Sequence, residues 1–207
     1  MFRDLITDEK DLRALLGSPS EVALKKQIPR LDEHCRAFIA HAPFVALATA
    51  DGAGRCDVSP KGDPAGFVRV IDDTHLVVPD RPGNKRLDGL RNILANPHVA
   101  LLFLVPERGE TLRVNGRACI TRDPALLELC VAQGKAPALA IGVEVEEVFL
   151  HCAKAFKRSG LWEPARWPEI SGLVSSAKIF HDQVKIPGMT VEDYERRLAT
   201  GYKTGLY

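Results

Sequence analysis

Thr74-His75-Leu76-Val77-Val78-Pro79-Asp80-Arg81-Pro82-Gly83-Asn84-Lys85-Arg86 runs from a β-branched, apolar segment into a turn rich in Pro, Gly and positive charge. Downstream, Leu87, Leu90, Ile93 and Leu94 recur at helical spacing, so the pattern predicts strand, turn and helix in that order, with the helix spanning Lys85 to Ala95. Asn84, Lys85 and Arg86 then fall at a helix N-terminus, where unpaired backbone N–H groups and the helix dipole favour an anion. Two cations there run against the dipole unless something negative lies between them and the helix. The plainer reading, a solvated basic pair on a helix face, holds for these residues taken alone.

Outward from that stretch the periodicity changes twice. The first forty residues read as helical, with Asp8 to Leu16 as one piece, Ser20-Glu21 starting another, and Leu31, Cys35, Phe38 and Ile39 on one face of a third that ends near His41-Ala42-Pro43. From Phe44 the period becomes that of strands: Phe44 to Thr49, then Gly54 to Ser59 after an Asp51-Gly52 turn, Gly66 to Ile71, and Thr74 to Val78. Asn96-Pro97 ends the following helix, His98 to Val105 and Thr111 to Thr121 read as two more strands, Asp123-Pro124 starts a helix to about Ala132, and Ala140 to Leu150 reads as a last strand. A short charged helix is expected at Glu192 to Leu198.

Short, closely spaced strands with few helices between them point to an antiparallel barrel rather than a parallel α/β sheet. The expected fold is α+β, mostly β: a six-stranded, Greek-key split barrel decorated by helices. One domain over residues 1–207 is expected, with a helical extension over 1–43 and a C-terminal arm over 151–207 that could act as a lid or a dimer arm.

The 207 residues include 28 basic and 27 acidic ones, a formal charge of +1, so no global field draws in nucleic acid or an anionic membrane. The apolar run Val99 to Val105 is too short to span a bilayer, and Met1-Phe2-Arg3-Asp4 lacks the apolar segment of a signal peptide; a soluble, cytoplasmic protein is expected. Cys35, Cys56, Cys119, Cys130 and Cys152 are odd in number and scattered, which argues for reduced thiols and against a disulfide framework. His34-Cys35 and His151-Cys152 are adjacent pairs without zinc spacing, so no metal is expected. There is no Gly-x-Gly-x-x-Gly, and no nucleophile lies in a recognisable catalytic context.

Three sets of residues carry a resemblance to the pyridoxamine 5'-phosphate oxidase-like family of FMN-binding split barrels, over roughly Phe44 to Trp162. The first runs from Gly66-Phe67-Val68-Arg69-Val70 through Leu76-Val77-Val78-Pro79-Asp80 and Asn84-Lys85-Arg86 to Asn96-Pro97-His98-Val99-Ala100-Leu101-Leu102-Phe103. The others are Asp57-Val58-Ser59-Pro60-Lys61-Gly62-Asp63 and His151-Cys152-Ala153-Lys154-Ala155-Phe156-Lys157-Arg158-Ser159-Gly160-Leu161-Trp162, which resemble a group of FMN-dependent enzymes of unknown substrate.

The resemblance implies a homodimer with FMN at the subunit interface. It implies that the backbone of Phe67, Val68, Arg69 and Val70 runs along the isoalloxazine ring, that Val78, Pro79 and Asp80 lie at its other edge, and that Asn84, Lys85 and Arg86 hold the phosphate. It also implies a flavin contact at Thr111, and closure over the cofactor by Lys157, Arg158, Ser159 and Trp162 from the partner subunit. Ser59 and Lys61 are the substrate-side candidates, a cation near the ring being able to tune its electronics; no catalytic acid or base is singled out. The signature by which the true oxidase holds pyridoxal phosphate is not recognisable, so vitamin B6 oxidation is not expected. The expected function is therefore that of an FMN-dependent oxidoreductase. The alternatives are a non-catalytic flavin carrier or sensor, or a barrel that binds haem, with His151 or His181 as axial ligand, or a deazaflavin.

Overall fold

The computed structural model describes residues 2–207. Three short helices open the chain: α1 (Glu9–Leu16), α2 (Glu21–Lys25) and α3 (Glu33–His41), capped by the side chains of Asp8, Ser20 and Asp32. Seven strands follow: β1 (Phe44–Ala50), β2 (Cys56–Gly62), β3 (Arg69–Val70), β4 (His75–Pro79), β5 (His98–Leu104), β6 (Thr111–Thr121) and β7 (Ala140–His151). Helix α4 (Asp88–Ala95) joins β4 to β5, and α5 (Pro124–Leu129) joins β6 to β7. Beyond β7 lie α6 (Lys154–Ser159), α7 (Ser176–Val184) and α8 (Val191–Thr204).

All strand pairs are antiparallel, in the order β2-β1-β5-β6-β7-β4-β3. Each hairpin, β1–β2 and β3–β4, sits on one flank, and the sheet is not closed by a pairing between its ends. The architecture is the expected split barrel of mixed α+β type, with seven strands in place of six. The extra strand, β3, is two residues long.

Alternation fixes the inner face. Val45 and Leu47 of β1, Val99, Leu101 and Phe103 of β5, and Leu112 and Val114 of β6 are buried, and α3 covers one end with Cys35 and Ile39. In β7 the alternation changes phase, with Val143 and Val145 buried before the Glu146-Glu147 doublet and Val148 after it. The register pairs Asn115 with Glu147 and Gly116 with Val145, leaving Glu146 as the extra residue of a bulge. Gly116 is required there, because a Cβ would stand 2.0 Å from the Glu144 carbonyl oxygen.

Several boundaries differ from the sequence expectation, each for a local reason. The strand expected over Gly66 to Ile71 is cut to Arg69–Val70: Gly66 has φ 79°, and only Arg69 and Val70 pair with β4, opposite Val77 and Leu76. The return strand expected to end at Ser59 continues to Gly62, because β2 is an edge strand and tolerates Pro60. The helix expected from Lys85 starts at Asp88, because Lys85 and Leu87 have φ of 60° and 61°. Helices α6 and α7 were not anticipated, and α8 is longer than the Glu192 to Leu198 segment expected.

Candidate functional site

The late start of α4 places Asn84, Lys85 and Arg86 in a loop rather than in a helical first turn. Asn84 Oδ1 accepts a hydrogen bond from the Arg86 backbone N–H at 3.0 Å, closing a tight turn. Left-handed backbone costs a non-glycine residue roughly 1–2 kcal/mol, and here two such residues, Lys85 and Leu87, flank one arginine. No side chain caps α4, whose first-turn acid is Asp88. The Arg86 guanidinium donates to the Asp88 carboxylate at 2.7 Å, and this hydrogen bond raises the arginine's pKa. Among the described residues, no hydrogen bond or ion pair engages the Lys85 ammonium.

This loop overhangs a cleft of about 640 Å³, a size typical of small-molecule sites. Its opposite wall is β2, where Asp57, Ser59 and Lys61 share the half-buried face while Val58 and Pro60 point to solvent. The chain after β4 supplies Asp80 and Arg81, the loop before β7 supplies Lys135 to Ala138, and Tyr207 lies at one side. Five basic residues (Lys61, Arg81, Lys85, Arg86, Lys135) and three acidic ones (Asp57, Asp80, Asp88) line the cleft, so its balance is positive and suits an anion.

Two ion pairs cross the floor with opposite polarity. Lys61 Nζ lies 3.4 Å from Asp80 Oδ1, each side chain about a quarter exposed. Arg81 Nε donates to Asp63 Oδ2 at 2.6 Å, and the Asp63 side chain is 1% exposed. Arg81 Nη2 also donates to the Cys130 carbonyl at 2.8 Å. Because Lys61 and Asp63 belong to one flank of the sheet and Asp80 and Arg81 to the other, these pairs bridge the open side of the barrel.

Of the residues expected at a cofactor site, Asp80, Asn84, Lys85 and Arg86 line this cleft, together with Ser59 and Lys61. Phe67, Val68 and Val78 are core residues, Pro79 is buried, and Thr111 is 5% exposed. Arg69 turns its guanidinium to the carbonyls of Leu129 and Gly66. The Phe67 to Val70 segment runs into the β3–β4 pairing, Arg69 opposite Val77 and Val70 opposite Leu76. Lys157, Arg158, Ser159 and Trp162 sit on or after α6, outside the cleft; Trp162 stacks on Phe156 and donates to the Arg108 carbonyl at 2.8 Å. Arg81, Lys135 and Tyr207 were not anticipated. Arg81 lay inside the opening stretch, whereas nothing in the local sequence marked Lys135 or Tyr207.

The histidines raised as haem ligands lie elsewhere. His151 Nε2 is buried without a hydrogen-bond partner, and burial, then Arg113 and Lys26, push its pKa down. His181 stands beside Asp182 on α7. Among the described residues no cluster of three or more His, Cys, Asp or Glu could hold a metal ion, and no helix is long and apolar enough to cross a membrane.

No curated protein matches the chain. Among solved structures, HupZ of Group A Streptococcus, in a variant form, is 20% identical over 58% of this chain and 99% of its own, with a TM-score of 0.49. A candidate pyridoxamine 5'-phosphate oxidase from Lactobacillus delbrueckii is 25% identical over 59% and 99%, with a TM-score of 0.45. A FAD-binding protein from Mesorhizobium loti is 18% identical over 58% and 94%, with a TM-score of 0.40. The family model described as pyridoxamine 5'-phosphate oxidase matches residues 31–152, more than half the chain and the whole strand-bearing core. On that match, this chain belongs to the pyridoxamine 5'-phosphate oxidase family.

Proposed function

We propose that this protein is an FMN-dependent oxidoreductase, with the cofactor phosphate held by Asn84, Lys85 and Arg86 and a second copy of the chain completing the ring site. The observation that carries the reading is Lys85: a cation in strained backbone at the rim of a positively balanced cleft, with no acceptor among the described residues. Strain of this kind persists where the surroundings impose it, and it clusters at binding sites.

FMN, when bound, supplies hydride or electron transfer. The chain's own residues have narrower tasks. Lys85 and Arg86 donate charge-assisted hydrogen bonds to a phosphate, and the Asn84 turn orients them. Lys61 holds positive charge on the cleft floor, tempered by Asp80. Ser59, on the same face of β2, offers a hydroxyl to a substrate. On this reading Lys157, Arg158, Ser159 and Trp162 serve the partner's cofactor rather than their own, which accounts for their position away from the cleft.

The test is the visible absorption spectrum of the protein after incubation with FMN and gel filtration. The expected result is a retained flavin spectrum that bleaches with a nicotinamide reductant and recovers with an acceptor. A flavin inert to every donor would indicate a carrier, and a folded protein that retains no flavin would overturn the reading. Hydrogen bonds to charged groups are worth about 1.5–3 kcal/mol each, so Lys85→Ala with Arg86→Ala should weaken FMN binding by at least about 100-fold. Both side chains are exposed, and the melting temperature should hardly move. Unchanged affinity would refute the phosphate assignment.

A further inference from the structure

Tyr207 lies half-buried at the side of the cleft, far in sequence from everything it touches. Its hydroxyl donates to Asp63 Oδ1, the Arg81 guanidinium lies 5.5 Å from its ring centroid, and its carbonyl oxygen accepts from Lys135 Nζ at 2.9 Å. The receiving side is built into the barrel. Asp63 and Arg81 already form a buried ion pair on the cleft floor, and Tyr207 takes the carboxylate oxygen that Arg81 leaves free.

The segment that carries Tyr207 is otherwise loosely attached. Helices α7 and α8 pack on each other, with Tyr194 of α8 against Phe180 and His181 of α7, and neither helix packs extensively on a strand. After α8 ends at Thr204, Gly205 closes the helix through its N–H to the Gly201 carbonyl, Leu206 is exposed, and Tyr207 returns to the barrel. A helical pair with little packing on the strands is thus tied to the cleft side of the barrel through one residue, anchored by a hydroxyl, a cation–π contact and a lysine.

We propose that Tyr207 is a latch: docked on Asp63, Arg81 and Lys135, it ties the end of the α7–α8 segment to the barrel and itself forms one side of the cleft, and its release opens the cleft to the passage of a ligand. The proposal goes beyond the flavin reading and does not depend on which ligand enters. Opening requires loss of one phenol–carboxylate hydrogen bond, one cation–π contact and one lysine contact but no break in the sheet. The Asp63–Arg81 pair survives release, so the dock is preserved for reclosing.

The test uses the full chain with no ligand present, so that failure of FMN to bind leaves it intact. Ser59→Cys in a Cys56→Ser background places the one thiol of its peptide on the cleft-facing side of β2, and its reaction with a bulky maleimide is followed by mass spectrometry of the peptide containing position 59, away from the other native cysteines. Amide hydrogen exchange over residues 191–207 is measured alongside. With Tyr207→Ala added, labelling at position 59 should quicken at least about tenfold and exchange over 191–207 should rise by a similar factor. Tyr207→Phe, which keeps the ring, and Lys135→Met, a change at an exposed position, should each fall between. An unchanged labelling rate would show that Tyr207 gates nothing, and unchanged exchange would show that it does not hold the segment; either result overturns the latch.

Discussion

Lys61 and Asp80 face each other across the cleft at 3.4 Å, so the ammonium nearest Ser59 is already partly neutralised before any ligand arrives. Asp80→Asn should release that charge and tighten FMN binding roughly fivefold, an effect on the order of 1 kcal/mol for a partly exposed pair. Lys61→Met should weaken it by at least as much, since Asp80 is then an unbalanced negative charge beside the anion. Titration of both variants by flavin fluorescence checks the opposite signs; a shift in the same direction would remove the pair from the site.

The left-handed residues of the anion loop make a stability prediction. Leu87→Gly relieves the steric cost of φ 61° without removing any buried contact, as Leu87 is 52% exposed. Thermal or urea unfolding should show a gain of up to about 1 kcal/mol. The same variant should bind FMN less tightly, because a glycine there loosens the loop that presents Lys85.

The thiols divide by burial. Cys35 is 8% exposed, and burial pushes its thiol up to about 12; Cys130 is buried as well, and its pKa is raised by the same cause. Cys56, Cys119 and Cys152 are exposed. Alkylation of the native protein at pH 8 should modify these three rapidly and spare Cys35 and Cys130, with all five modified in denaturant; rapid labelling of Cys35 would contradict its placement on the buried face of α3.

His151 is favoured as the neutral imidazole, because burial, then Arg113 and Lys26, lower its pKa from 6.5. Between the folded and unfolded values the unfolded chain binds more protons, so stability rises with pH. The contribution is complete above pH 6.5 and is lost as pH falls through the folded value. Urea midpoints for the wild type and His151→Phe should therefore diverge on acidification, with the wild type losing more; parallel curves would show that this histidine does not titrate differently on folding.

At the β6–β7 bulge, Gly116→Ala drives a methyl group into the Glu144 backbone. Overpacking costs typically 1–3 kcal/mol, and a contact with backbone that cannot rotate away belongs at the upper end, so a loss of about 3 kcal/mol is expected in chemical unfolding. A loss under about 0.5 kcal/mol would mean that the bulge relocates.

The sequence displayed the barrel through alternation that the core then uses, as in Val45 and Leu47 or Val99, Leu101 and Phe103, and it displayed the caps Asp8, Ser20 and Asp123 through their chemistry. It also displayed the basic loop at Asn84 to Arg86 as a composition, but not its shape. Periodicity at Leu87, Leu90, Ile93 and Leu94 extends a helix backward through Lys85, and only the left-handed dihedrals at Lys85 and Leu87 stop it. Phe67 and Val68 illustrate a second limit: an apolar run has strand composition even where its backbone finds no ladder partner, as the pairing with β4 begins only at Arg69. The walls contributed by Lys135 and Tyr207 were invisible because each depends on a contact far along the chain, with no periodic or motif signal at either end.

The sheet order has a kinetic consequence. The β1–β2 and β3–β4 hairpins stand on opposite flanks of β5, β6 and β7, so the Lys61–Asp80 and Asp63–Arg81 bridges can form only after the central strands have assembled and curled. The cleft is thus expected among the last features to mature during folding, since such non-local pairings follow the closure of the loops between them. A ligand that spans both flanks recognises only the finished barrel, and its uptake measures completed molecules rather than collapsed ones.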